Sequence, residues 1–280
     1  MRRAVFLLVL GLTATDGHAQ SPSSQSNPVF VEEQALAAKV EARTHIKGFD
    51  LKTKAPKVRI DAGAGLSFYD MGTGNVVHEE RWGRVPAPMQ ATFNQWAEYA
   101  GDQPSGQRLF GEMFHRFFLV HELGHWMEDQ VMEQRRDTMA ATARQNAKSA
   151  RWEYETIANR ISIAWWREHD AAYLAKLIKD FRAIQARLPN PVPAGEDARH
   201  YFFRQYSELA KDPNAYGWFQ LHMVILAYDQ QPRSSFQQAI NTLPSENYDE
   251  HSSSCCGDRP RVEPGAAQRG SRAARPRPEE

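Results

Sequence analysis

His121-Glu122-Leu123-Gly124-His125 puts two imidazoles and a carboxylate within five consecutive residues. On an α-helix His121 and His125 stand one turn apart on one face, with about 6 Å of axial rise between them. Both rings can therefore bind one metal ion, and a catalytic Zn²⁺ suits the pair. Glu122 lies about 100° further round the helix, from where its carboxylate reaches a water on that metal. Such an ion would lower the pKa of its water towards about 7 and polarise a scissile carbonyl. Glu122 would accept the water's proton and pass it to the leaving amine.

A catalytic zinc also needs a third protein ligand. In the metzincin pattern, HExxHxxGxxH, a glycine and a third histidine follow at fixed spacing; here Glu128 and Val131 occupy those places, which excludes that arrangement. The other route takes a glutamate from a later helix, and Trp152-Glu153-Tyr154-Glu155-Thr156-Ile157-Ala158-Asn159 offers one. Glu155 has Asn159 four residues on, on the same helical face, and Ala158 is small enough for close helix approach. Glu153 competes, but four residues beyond it stands Ile157, which offers no polar support.

HELGH followed by Glu155 and Asn159 resembles the gluzincins, the thermolysin-like zinc metallopeptidases. The resemblance covers 121–125 and 155–159, and elsewhere extends only to element order. It implies Glu155 as third ligand to Zn²⁺, Asn159 as the group that holds a ligating histidine, and a peptide or protein as substrate. Asn159 stands where the commonest pattern has Asp, so it orients His121 or His125 but raises its basicity less. The implied fold is α+β and predominantly helical: a zincin-like catalytic domain whose small antiparallel or mixed sheet precedes the HExxH helix. An edge strand for substrate would be Gly65–Tyr69 or Val76–Glu80. Such enzymes also use a Tyr or His donor opposite the metal. The pool is Tyr201, Tyr206, Tyr216, His200, His222 and Tyr228, with His222 and Tyr216 preferred because they share one segment after a proline-containing break.

The elements that must position these residues follow from periodicity and punctuation. Val31, Leu36 and Val40 predict a helix over Val29–His45, and Lys57–Ile60, Gly65–Tyr69 and the residues from Val76 read as short strands. Gly72-x-Gly74 lacks the third glycine and following helix of a phosphate loop and is read as a turn. Pro86 and Pro88 open a helix to about Tyr99. The next helix is expected unbroken from Gln107 to Gln134, with Phe110, Phe114, Phe117, Phe118, His121 and His125 on one inward face. After a polar stretch over Arg135–Ala150, helices are expected over Arg151–Glu168, Ala171–Arg187, Asp197–Lys211 and Ala215–Asp229. Glu112-x-x-His115 is an ExxH pair of the kind that builds di-iron sites. Its only counterpart, Glu122–His125, lies on the same helix and cannot face it, so His115 is expected to be a buried or capping histidine.

The whole sequence has 280 residues, 34 basic and 34 acidic, a balance that gives no reason to invoke nucleic acid or an anionic membrane. Arg2 and Arg3 precede an apolar run from Ala4 to Leu12, with Gly17-His18-Ala19 at the cleavage positions. This reads as a signal peptide over 1–19 and predicts a secreted or periplasmic protein without a membrane span. Residues 20–50 read as linker and N-terminal helix, 51–245 as the catalytic domain, and 246–280 as a disordered Arg/Pro/Ala-rich tail. The two cysteines, Cys255 and Cys256, both fall in that tail, so the catalytic region has no disulfide framework. Two further readings compete with the peptidase: a zinc hydrolase of non-peptide amides in a cell-wall component, and a non-catalytic exported binding module whose zinc is structural or absent. The second gives Glu122 no task.

Overall fold

Side chains that cap helices mark where three of the expected helices, and one that was not expected, begin. Ser105, Asp170, Asp197 and Ser235 each accept a hydrogen bond from the backbone N–H three residues on, satisfying a donor that the first turn leaves free. In the computed structural model, residues 28–47, 55–60, 67–70, 76–79, 81–136, 151–230 and 234–243 are described. The expected export segment, the turn at 71–75, both cysteines and the tail from 246 lie outside them.

The described residues are predominantly helical, as expected. Helix α1 (Pro28–Arg43) precedes strands β1 (Lys57–Ile60), β2 (Ser67–Asp70) and β3 (Val76–Glu79). Then come α2 (Ala87–Ala100), α3 (Gly106–Phe110), a π-helical segment (Gly111–Phe117) and α4 (Phe118–Arg136). Helices α5 (Arg151–His169), α6 (Ala171–Arg187), α7 (Ala198–Leu209), α8 (Pro213–Gln230) and α9 (Phe236–Thr242) complete them. The strands form one mixed sheet in the order β1-β3-β2, with β1 parallel and β2 antiparallel to β3.

Helix α4 runs through the core. Leu119, Val120, Leu123, Trp126 and Met127 are all buried, and the helix packs on α5, β2 and α1. It lies antiparallel to α5: Ser162 Oγ donates to the Phe117 carbonyl at one end, and Gly124 abuts Ala158 further along. A Cβ on Gly124 would stand 3.1 Å from Ala158 Cα, so the small pair sets how near the two backbones come.

One expected element differs. The helix predicted over Gln107–Gln134 is not uniform, because seven residues, Gly111–Phe117, are π-helical. Shifting the ladder from i−4 to i−5 alters which carbonyls are shared, and outside donors serve two of them. The Tyr173 hydroxyl donates to the Glu112 carbonyl (2.5 Å) and Ser162 Oγ to that of Phe117 (2.8 Å). The aromatic stripe survives as a ladder of neighbouring rings, Phe110–Phe114–Phe118–His121–His125, with centroids 4.6–5.5 Å apart.

Candidate metal centre

Helix α4 brings the two histidines of HELGH side by side, with Nε2 atoms 3.1 Å apart and rings nearly perpendicular (87°). From α5, Glu155 Oε2 comes to 3.3 Å from His121 Nε2 and 3.7 Å from His125 Nε2. Three ligating atoms thus converge on one point, and all three residues are buried. Tetrahedral ligands about 2.0–2.1 Å from one ion stand about 3.3 Å apart, so these separations fit a single metal ion. The orphaned atoms agree. Glu155 Oε2 and Glu122 Oε1 are buried without a hydrogen-bond partner, a costly state that a cation at the centre would relieve. The residues can therefore hold a metal ion.

Each histidine is fixed by its other nitrogen. His121 Nδ1 lies 2.8 Å from Asn159 Oδ1, so a proton on Nδ1 leaves Nε2 free as ligand. His125 Nδ1 lies 3.1 Å from Glu128 Oε2 in the same way. The sequence reading left open which histidine Asn159 holds; the structure gives it to His121. Glu128 was not anticipated in this role. Its spacing of three from His125, on one helix face, is the sequence signal for this contact. Tyr154 was missed too. It stacks on the His125 ring (5.6 Å between centroids, 18° between planes), and its hydroxyl donates to the Met132 sulfur. Glu153, the competing acid, pairs instead with Arg199.

Glu122 sits where the sheet meets α4. Its Oε2 accepts the Tyr69 backbone N–H at 2.8 Å, which anchors it to edge strand β2. Burial raises its pKa to about 8, against the charge of His125 and the Tyr69 N–H, which lower it. Burial also opposes ionisation of Glu155, yet the two histidines outweigh it and hold that carboxyl at about 2. For His125 burial again opposes charge, but Glu128 and Glu155 prevail and the imidazolium is favoured. His121 goes the other way: burial, joined by the charge on His125, favours its neutral form.

The two preferred donors, Tyr216 and His222, both lie on α8. Tyr216 on α8 is buried in the wall of a cavity that also borders Phe118, the ring next to His121. His222, six residues further along α8, stacks on Trp218 (4.9 Å, 12°) with Trp152 6.2 Å away, and partial burial favours its neutral form. The ExxH pair turns elsewhere. Glu112 binds Gln103 and Arg108, while His115 contacts Glu33 and Arg81. Among the described residues no helix is long and apolar enough to cross a membrane. Comparison with protein-family models, with curated proteins and with solved structures finds no match.

Proposed function

We propose that this chain is an exported zinc-dependent peptidase, with His121, His125 and Glu155 as metal ligands and Glu122 as general base. One observation carries the reading: a carboxylate the metal site does not need, Glu122, is buried beside the three converging ligands and tied by hydrogen bond to an edge strand. A purely structural metal site would have no use for it. Zinc bound there would supply a Lewis acid that polarises a carbonyl and acidifies water.

The chain's own residues do the rest. Glu122, whose pKa is raised by burial, takes a proton from the attacking water and returns it to the leaving nitrogen. The Tyr69 N–H fixes which carboxylate oxygen faces the strand, leaving Oε1 for the reacting side. Strand β2 favours an extended peptide over other amides. It is an edge of the sheet, the kind of element to which an extended peptide adds, and it lies against Glu122 through the Tyr69 N–H. The sequence over 1–19 supports action outside the cytoplasm.

The experiment is Glu122→Gln in zinc-loaded protein, with metal content and peptide hydrolysis measured together. The expected result is one zinc per chain retained and hydrolysis lowered by about 10²–10⁴-fold. Unchanged turnover would overturn the assignment of Glu122 and the peptidase reading with it.

A further inference from the structure

A ligating imidazole needs two restraints, because the Nε2 lone pair lies in the plane of the ring. A hydrogen bond to Nδ1 fixes the direction of the ring but lets it rock about that bond, which carries Nε2, on the far side, off its line to the metal. For His121 the second restraint is the core: the residue is fully buried, and the Phe118 ring packs edge-on to it at 79°. His125 is held differently. Glu128 takes its Nδ1 at 3.1 Å, and its face is met by the ring of Tyr154 from α5, with 5.6 Å between centroids and 18° between planes. That spacing lies in the range where aromatic rings attract one another.

Tyr154 is itself fastened to α4, since its hydroxyl donates to Met132 Sδ at 3.3 Å. Met132 stands seven residues beyond His125, two turns along the same face of α4. Helical side chains lean towards the N-terminus of their own helix, and α5 runs antiparallel to α4, so the lean takes Tyr154 towards Met132. A thioether is a weak acceptor, so this contact orients the ring more than it anchors it. Tyr154 also precedes Glu155, and one turn of α5 thus supplies both the stacked ring and the third ligating atom. The tyrosine is half-buried whereas His125 is buried, so replacing it disturbs little of the core.

Building on the metal-centre reading above, we propose that Tyr154 is a positioning residue for His125: its ring fixes the tilt of the imidazole that Glu128 leaves free, and Met132 sets the orientation of that ring. The restraint comes from a flat face, so phenylalanine substitutes for tyrosine and an aliphatic side chain does not.

The test compares wild type with Tyr154→Phe, Tyr154→Leu and Tyr154→Ala. Each is loaded with cobalt(II), whose visible absorption reports coordination geometry, and separately with zinc, whose release to excess chelator is timed. Melting of the metal-free proteins is recorded alongside. Tyr154→Phe should keep the wild-type cobalt spectrum and release zinc within about threefold of the wild-type rate. Tyr154→Leu and Tyr154→Ala should alter the cobalt bands and release zinc about tenfold faster. Leucine keeps the apolar bulk, so a loss in that variant belongs to the missing flat ring. A side chain with a merely structural role would lower the metal-free melting temperature and leave the cobalt spectrum alone. Wild-type spectrum and release rate in Tyr154→Leu and Tyr154→Ala overturn the proposal, as does a Tyr154→Phe variant as impaired as Tyr154→Ala. Wild type that takes up neither metal overturns the metal centre itself, and this proposal with it.

Discussion

His121 and His125 are identical side chains held by unlike partners, a neutral amide for one and a carboxylate for the other. A carboxylate raises the basicity of the imidazole it holds more than an amide does, so His125 should be the stronger ligand. Glu128→Gln keeps the hydrogen bond and removes the charge. It should weaken zinc binding by about 10–100-fold in a competitive chelator titration, whereas Glu155→Ala should abolish stoichiometric binding. Equal affinity for Glu128→Gln and wild type would show that the charge is immaterial. The same charges set a pH dependence. Glu128 and Glu155 keep His125 protonated well above an ordinary histidine's pKa, so a metal arriving at neutral pH must displace that proton. Below the raised pKa of His125, zinc affinity should therefore rise with pH by about tenfold per unit, and calorimetry in buffers of different ionisation enthalpy should find at least one proton released. A pH-independent affinity between 5.5 and 7 would contradict the charge state assigned to His125.

At the scale of elements, the centre depends on how closely α4 approaches α5. His121 and His125 come from one helix and Glu155 from the other, and the Gly124–Ala158 contact sets their spacing. Gly124→Val places branched carbon atoms where even one Cβ would be tight, forcing the helices apart or costing about 1–3 kcal/mol in strain. Because the distance between the histidines and Glu155 changes, zinc affinity should fall at least tenfold while far-ultraviolet circular dichroism stays helical. Retention of full affinity would mean that the backbones have slack at this crossing. Much of this was legible in sequence. HELGH gives its own helix and face, and Ala158 three residues after Glu155 signals a close crossing. The π segment was not legible, because its stabilising donors, Tyr173 and Ser162, are 61 and 45 residues away in the chain. Nor was the strand order, since the parallel β1–β3 pair skips over β2 and nothing local encodes it. The preference for Glu155 over Glu153 was reasoned from Asn159, and Arg199 adds a second cause that no local pattern contains.

For the whole molecule the question is whether α1 is part of the functional unit or only rests on it. The packing favours integration. Ala37 and Val40 are buried, Ile46 just beyond the helix is buried too, and Gln34 Nε2 donates to the Val58 carbonyl of β1 (2.8 Å). Glu33 is 1% exposed and meets both Arg81, at 2.7 Å, and His115 of the π segment. Helix α1 therefore ties the sheet that carries Tyr69 to the segment that leads into α4, which carries His121 and His125. Removing one partner of a buried ion pair leaves the other charge uncompensated, at a cost of about 3–5 kcal/mol. Glu33→Ala should lower the melting temperature by roughly 6 °C or more, since about 2–4 °C follows each kcal/mol in a domain of this size. Deleting residues 28–47 removes the ion pair and the buried apolar face together. That truncated chain should lose cooperative unfolding and zinc binding alike. A truncated protein that melts within 2 °C of the full chain and still binds one zinc would instead identify α1 as a dispensable segment resting on a complete catalytic domain.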